Sequence, residues 1–213
     1  MVRREHGTPA PSLRERKRER TRQALVDAAA ELFERKGYDG TTVAEIAAAA
    51  EIGTRTFFSY FASKEDILFP DSDARARATI EVIGRRNPAE GPVDVLTRAL
   101  ETVVETRADM FGPMAAARTR LSRTVPAVQS KALQIQMSAQ REIARALQAA
   151  FPDELDPVTA AALTGALTGA VSGALDALMN EGDAAAAPVD ADRLRAQLQQ
   201  ATELALRLFR RGV

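Results

Sequence analysis

The feature that most constrains this fold is a pair of short helical segments separated by only three residues. The first, "TTVAEIAAAA", opens with Thr42 and has Glu45 three positions later, the pairing of a capping box at a helix start. The residues "EIG" that follow are too few for a loop. They predict a tight turn into a third helix over residues 54–61, so two helices must cross at close range.

The third helix contains four aromatic residues within five positions, although aromatic residues make up only 5% of the chain. Phe57 and Phe61 lie about 40° apart on a helical wheel, which predicts that both are core residues. The opposite face is polar and carries Arg55, Ser59, Thr56 and Phe58, with Tyr60 at its margin. This two-faced pattern is typical of a helix-turn-helix, whose second helix enters the major groove of DNA.

The N-terminus is basic in a chain whose net charge is +0. Residues 1–22 hold eight basic and three acidic side chains, which indicates a local contact with a polyanion; a solvated tail is the alternative. Prolines and a glycine predict that residues 1–12 form a disordered basic arm. A first helix is expected from about Leu13 and ends at Gly37.

Residue types exclude the common kinds of enzyme and metal site. The chain has no cysteine and its single histidine, His6, lies in the arm, so no nucleophile and base pair or metal-ligand spacing can be assembled. We therefore expect no enzyme activity, no catalytic residues, no cofactor and no metal. The stretch 157–175 is rich in Ala, Gly and Thr, which favours a buried helix over a membrane span. Without an export signal, the protein is expected to be cytoplasmic.

The remaining chain also has helical periodicity, and no segment alternates with the period of a strand. Ser63 is expected to cap a fourth helix that either kinks or restarts at Pro70. Further helices are predicted over residues 93–110, 113–124, 126–151, 157–181 and 190–211. The sequence thus predicts an all-α fold with one domain over residues 13–68 and another over residues 69–213.

The segment "GYDGTTVAEIAAAAEIGTRTFFSYFASKEDIL", preceded by "TRQALVDAAAELFERKG", resembles the DNA-binding domain of TetR/AcrR-family transcriptional regulators. Its "RTFFSYF" wording is similar to a subgroup that includes regulators of mycofactocin systems. The resemblance implies an N-terminal three-helix helix-turn-helix domain and a C-terminal helical domain for effector binding and dimerisation. It further implies a homodimeric repressor of a palindromic operator in double-stranded DNA, released by an unknown small-molecule effector. By the same resemblance, the residues expected to contact DNA are Thr21, Thr42, Val43, Thr54, Arg55, Thr56, Phe58, Ser59, Tyr60 and Lys64.

Three positions depart from the family pattern. Glu51 replaces the usual glycine of the turn, where a left-handed backbone costs roughly 1 kcal/mol, so a reshaped turn is expected. Phe58 replaces a tyrosine and lacks a hydroxyl for phosphate, and Gly53 replaces the usual serine cap. These departures leave an alternative function open, a helical ligand-binding or scaffold protein that has lost operator binding.

The C-terminal half supplies candidates for an effector pocket and a dimer interface. The pocket candidates are Phe111, Met114, Leu121 and Met137, with Arg118 for an anionic group; a plain core role is the alternative for each apolar residue. Similarity to relatives that sense acyl thioesters suggests an acyl thioester as the effector. Small residues recur every four positions along the helix 157–181, which predicts close packing of another helix, either across a two-fold axis or within the chain. The predicted dimer residues are Gly165, Gly169, Gly173, Leu198 and Ala205.

Overall fold

Helices make up the regular secondary structure of this chain. The computed structural model describes residues 12–106 and 113–181 and the single positions 196, 197, 200, 201 and 204. Within that part there are eight α-helices, one 3₁₀ turn and no strand, as the all-α prediction requires. The helices are α1 Leu13–Lys36, α2 Val43–Ala49, α3 Thr54–Phe57, α4 Ser72–Gly84, α5 Pro92–Thr106, α6 Pro113–Thr124, α7 Pro126–Ala150 and α8 Pro157–Glu181.

Backbone contacts divide the chain into two compact units, with the boundary between Leu68 and Phe69. In the first unit, α1 ends as predicted at Gly37, whose φ of 74° is a left-handed value that suits glycine. The apolar faces of α1, α2 and α3 meet in a core that is closed by the 3₁₀ turn Asp66–Leu68. Its fully buried side chains include Leu25, Phe33, Ile46, Phe57 and Ile67.

Two predicted helices differ from the structure. Helix α3 ends at Phe57 rather than Phe61, because the amides of Tyr60 and Phe61 both donate to the Phe57 carbonyl at 2.9 and 3.0 Å and tighten the chain into a turn. The fourth helix does not start at Ser63. Ser63 instead caps the short 3₁₀ turn, and α4 begins only after Pro70, so the helix restarts rather than kinks.

The second unit is a bundle whose core joins four helices. Helices α6, α7 and α8 begin at Pro113, Pro126 and Pro157, where the missing proline amide removes no intrahelical bond. The core is apolar and consists of Ile83 on α4, Val95 and Leu96 on α5, Leu147 and Phe151 at the end of α7, Leu155, and Ala160, Leu163 and Leu167 on α8. Burial of these side chains positions the exposed faces of α7 and α8 described below.

Some predictions fall outside the described residues. The arm lies there except for Ser12, as do residues 107–110 of the predicted fifth helix and most of the predicted helix 190–211. Among the residues that the structure does describe, no helix combines the length and apolar character needed to cross a membrane. The same residues hold no cluster of metal-ligating side chains.

Candidate nucleic-acid interface

The start of α2 is fixed by the predicted capping box. The Glu45 amide donates to Thr42 Oγ1 at 3.2 Å, and the Glu45 carboxylate accepts from the Thr42 amide at 2.8 Å. Lys36 Nζ also donates to Glu45 at 2.6 Å, and these hydrogen bonds lower the pKa of Glu45 to about 2. Thr42 is exposed and Val43 is half-buried, so the first turn of α2 is held rigidly at the surface.

The turn between α2 and α3 keeps a regular form despite Glu51. Glu51 has φ 56°, the only left-handed non-glycine residue in the described chain. The Ile52 amide donates to the Ala47 carbonyl at 2.9 Å and the Glu51 amide donates to the Ala48 carbonyl at 3.1 Å, the two bonds of a Schellman motif. The expected reshaping of the turn is therefore wrong. The substitution instead leaves a strained backbone at one residue.

The two faces of α3 and the turn after it are separated as the helical wheel predicts. Phe57 and Phe61 are buried with their ring centroids 5.8 Å apart. Gly53 precedes the helix without a side-chain cap, as its residue type requires. The outer surface, which we call the α3 face, consists of exposed Thr54, Arg55, Thr56, Phe58 and Ser59.

Arg55 and Phe58 are the two largest side chains of the α3 face, and their surroundings differ. No carboxylate in the described part of the chain lies within ion-pair distance of Arg55, so its guanidinium is available to an outside acceptor. Phe58 is 55% exposed, and its ring meets the edge of Phe57 at 5.4 Å between centroids. A single exposed phenylalanine is common on protein surfaces, so the unpaired guanidinium is the feature of this face that suits an outside acceptor.

Tyr60 lies at the margin of the α3 face, as predicted, and is half-buried. The guanidinium carbon of Arg18 on α1 lies 5.8 Å from its ring centroid, within the range of a cation–π contact. Thr21, one turn further along α1, is half-buried and donates its hydroxyl to the Lys17 carbonyl at 3.1 Å. The first turns of α1 are thereby brought to the α3 face.

Lys64 has a structural position that the sequence did not reveal. Its Nζ donates to the carbonyls of Tyr38 and Thr41, each at 2.9 Å, and lies 3.9 Å from the Tyr38 ring centroid. The Tyr38 hydroxyl in turn donates to Glu65, and burial together with this bond raises the Tyr38 pKa. Lys64 thus ties the turn after α3 to the loop before α2, with at most one ammonium hydrogen left for a phosphate.

The predicted effector residues are not brought into one pocket. Met114 and Leu121 are buried on α6, Arg118 on the same helix is half-buried, and Phe111 lies outside the described residues. Met137 is 58% exposed on α7, unlike the buried Met114 and Leu121, and its role as an effector residue stays a prediction. It lines a surface groove of about 400 Å³ between α7 and α8, together with Gln140, Arg141, Ala144, Arg145, Gln148, Pro157 and Ala161.

The small residues of α8 divide into two parts. A Cβ at Gly165 would lie 2.9 Å from the Gln140 side chain of α7, a contact within the chain that favours the intrachain alternative at this position. At Gly169 and Gly173 a Cβ would meet no described residue within 4 Å. Leu198 and Ala205 lie outside the described residues.

Comparison with known proteins places these features among bacterial regulators. The sequence model described as "Bacterial regulatory proteins, tetR family" matches residues 25–69. The HTH-type transcriptional regulator TcmR of Streptomyces glaucescens is 33% identical over 151 residues, which cover 68% of this chain and 67% of TcmR. The repressor LfrR of Mycolicibacterium smegmatis is 34% identical over 105 residues, or 49% of this chain and 52% of LfrR.

Solved structures show the same fold over most of the chain. A regulator from Syntrophomonas wolfei assigned to the TetR family superposes with a TM-score of 0.60 at 17% identity, covering 89% of this chain and 96% of the other. The repressor FadR of Thermus thermophilus, solved with lauroyl-CoA, gives a TM-score of 0.54 at 24% identity and covers 87% and 93%. At these identities the likeness establishes the fold: an N-terminal helix-turn-helix domain followed by a helical domain.

Proposed function

We propose that this chain, which belongs to the tetR family of bacterial regulatory proteins, represses transcription by binding a near-palindromic operator as a homodimer and is released by a small-molecule effector. Membership makes it a helix-turn-helix transcription regulator, and the relatives are named as regulators rather than as enzymes. The repressor role, the dimer, the operator and the effector are our proposals and rest on the observations below.

The observation that carries operator binding is the α3 face. Arg55 has a planar guanidinium without an acidic partner among the described residues, on the one helix of the motif that is expected to enter the major groove. Such a group binds guanine through two hydrogen bonds, a contact that discriminates between base pairs. We propose that Arg55 reads a base and that the short hydroxyl side chains beside it contact phosphates.

The remaining contacts follow from the geometry around α3. We propose that the Val43 amide binds one phosphate at the exposed start of α2, and that the Thr42 hydroxyl joins it by exchanging its 2.9 Å hydrogen bond to Glu45 for the phosphate. Phe58 has no hydroxyl to donate and is expected to pack against sugar, and we propose that Tyr60 and Thr21 contact the DNA backbone. Lys64 is proposed to act chiefly by positioning the α2 and α3 segments, since its ammonium already donates to two carbonyls.

A homodimer is proposed because small residues of α8 are not covered by other described residues. Glycine costs about 1 kcal/mol relative to alanine inside a helix, and a Cβ at Gly169 or Gly173 would meet no described residue within 4 Å, so the described contacts do not offset that cost. Close approach of a second copy would compensate through backbone packing. Two half-sites read by such a dimer must lie about 34–36 Å apart along the DNA.

The dimer is tested by Gly169→Leu. Because no described residue lies within 4 Å of a Cβ at this position, the variant should fold with unchanged helix content yet sediment as a monomer, and it should lose operator binding because one half-site binds weakly. Sedimentation, circular dichroism and DNA titration measure the three properties. A variant that remains a dimer with wild-type affinity, or one that unfolds, would contradict the proposed interface.

An effector is proposed for the second unit, where Met114 and Leu121 are buried and Arg118 is half-buried on α6. These side chains would suit a ligand with an apolar body and an anionic group, of which an acyl thioester is one class. A compound screen that measures release of bound DNA tests this step. We expect an acyl thioester to release the DNA from wild type but not from Arg118→Gln. If none of the anionic amphiphiles tested releases the DNA, this ligand class is refuted.

Operator binding is tested by selection of genomic fragments on the purified full-length protein, followed by gel shift. The expected result is enrichment of a few fragments that share an inverted repeat. A reporter controlled by the selected DNA should lose expression when the protein is present, whereas a gain would identify an activator. Failure to enrich any sequence would favour the alternative, a helical ligand-binding or scaffold protein without an operator.

A further inference from the structure

The first turns of α1 form a basic surface whose acidic residues are already engaged. Between Leu13 and Arg22 the sequence has six basic and two acidic side chains. Glu15 is held by the capping box with Ser12, and Glu19 pairs with Arg22 at 2.8 Å. In the described structure no carboxylate pairs with Arg14 or Lys17, and both are exposed. Their charge is therefore not neutralised within the chain.

The basic residues of this segment occupy two different faces. At 100° per residue, Arg14 and Arg18 lie within about 20° of Leu25, which is fully buried in the core, and Lys17 lies about 80° away. The stripe that enters the core at Leu25 therefore continues beyond it as a basic strip, which we define as Arg14, Lys17 and Arg18. Arg16 and Arg20 lie on the opposite side of the helix, about 180° and 140° from Leu25.

The basic strip is directed to the same side of the unit as the α3 face. The contact of Arg18 with the Tyr60 ring, 5.8 Å from guanidinium carbon to centroid, joins the two surfaces. Because the capping box begins α1 at Leu13, Arg14 and Lys17 are presented from an ordered helix rather than a tail. The strip thus extends the α3 face with a fixed row of cations.

We propose that the basic strip binds the phosphate backbone of DNA just outside the half-site that α3 reads. The inference rests on the proposed operator binding and adds a surface to it. Guanidinium and ammonium groups without acidic partners are complementary to phosphates, and contacts to phosphate fix register without reading sequence. Continuity with Tyr60 favours DNA over an acidic protein as the partner. The strip would therefore strengthen binding to any flanking sequence.

The test compares two double variants that each remove two positive charges from the same turns. Arg14→Gln with Lys17→Gln removes the strip, and Arg16→Gln with Arg20→Gln is the matched control on the opposite side. Glutamine is nearly as good a helix former as either residue, and circular dichroism checks that helix content is kept. Affinity is measured as a function of salt on the selected operator with 10-base-pair flanks and on a duplex trimmed to the half-sites.

Each phosphate contact contributes about 0.9 to the slope of log affinity against log salt. Loss of two contacts in each protomer should lower the slope by about 1.8 per protomer, or about 3.6 for the bound dimer, so the affinity deficit of the strip variant relative to wild type should shrink about 150-fold between 50 and 200 mM salt. The control should keep the wild-type slope, and trimming the flanks should erase the difference. Equal slopes for both double variants would overturn the inference while leaving operator binding intact. A wild-type protein that binds no sequence specifically would instead refute the proposed function.

Discussion

Both units of the chain bury an apolar core, but they differ in how much single polar groups add to it. In the first unit, single polar groups set the positions of whole segments: Lys64 donates to two carbonyls of the loop before α2, and the capping box at Thr42 begins that helix. In the second unit, the contacts that join α4, α5, α7 and α8 are apolar, with Leu96 and Leu147 fully buried.

The polar contacts of the first unit fix the geometry of its helices, whereas the apolar contacts of the second unit contribute mainly to the free energy of unfolding. A surface that must match DNA needs its helices in one geometry, and directional hydrogen bonds supply that geometry. A bundle core spreads its stabilisation over many non-directional contacts, and among the described residues nothing covers Gly169 and Gly173 of α8. In the first unit we expect a few polar residues to have strong effects on the positions of the helices. In the second unit we expect many apolar residues to contribute to the free energy of unfolding.

The largest effect on stability is expected in the apolar core of the second unit. Leu147→Ala should lower the free energy of unfolding by about 2–5 kcal/mol, since it removes buried methyl groups and leaves a cavity. Leu133→Ala, on the same helix but 54% exposed, is the control and should change it by no more than about 0.5 kcal/mol. Urea unfolding measures both. If the two variants changed the free energy of unfolding equally, the face of α7 that contains Leu147 would not be the buried one.

A smaller effect should follow from removing the polar contact of the first unit. Lys64→Met is expected to cost about 1–3 kcal/mol, because the Tyr38 and Thr41 carbonyls both lose a donor. Lys36→Met removes only an exposed ion pair with Glu45 and should cost less than about 1 kcal/mol. Thermal unfolding of the two variants makes the comparison. If Lys64→Met is as mild as the control, Lys64 is merely a surface cation.

The smallest expected effect is an increase in the stability of the first unit. Glu51→Gly should stabilise the first unit by about 0.5–1 kcal/mol, because glycine adopts the left-handed backbone without the steric cost that glutamate bears, less its own entropy. Ala48→Gly, in the preceding helix, should instead destabilise it by up to about 1 kcal/mol. A loss of stability in Glu51→Gly would show that the glutamate side chain makes a compensating contact.

Much of the first unit was predictable because its signals are local. The capping box of Thr42 and Glu45, the end of α1 at Gly37 and the buried pair Phe57 and Phe61 are each set by residues within a few positions of one another. The capping box of Ser12 and Glu15 has the same spacing and could have been read from the sequence. The fold class followed from helical periodicity throughout.

The remaining features depend on partners that are distant in sequence. The two carbonyls that Lys64 contacts are 26 and 23 residues away, and a long side chain gives no sign of which way it reaches. The early end of α3 results from 3₁₀-type bonding that residue type does not specify. Met137 is apolar but faces solvent, since periodicity alone does not say which stripe of α7 meets the core.

Base reading by Arg55 is tested directly by the affinity of Arg55→Ala for two duplexes. At one fixed salt concentration, wild type and variant are titrated against the selected operator and against random DNA of equal length. Loss of a bidentate guanine contact should weaken operator binding by about 1–3 kcal/mol, or about 5- to 150-fold, with a far smaller loss on random DNA. Equal losses on both duplexes, or none on either, would contradict base reading by Arg55.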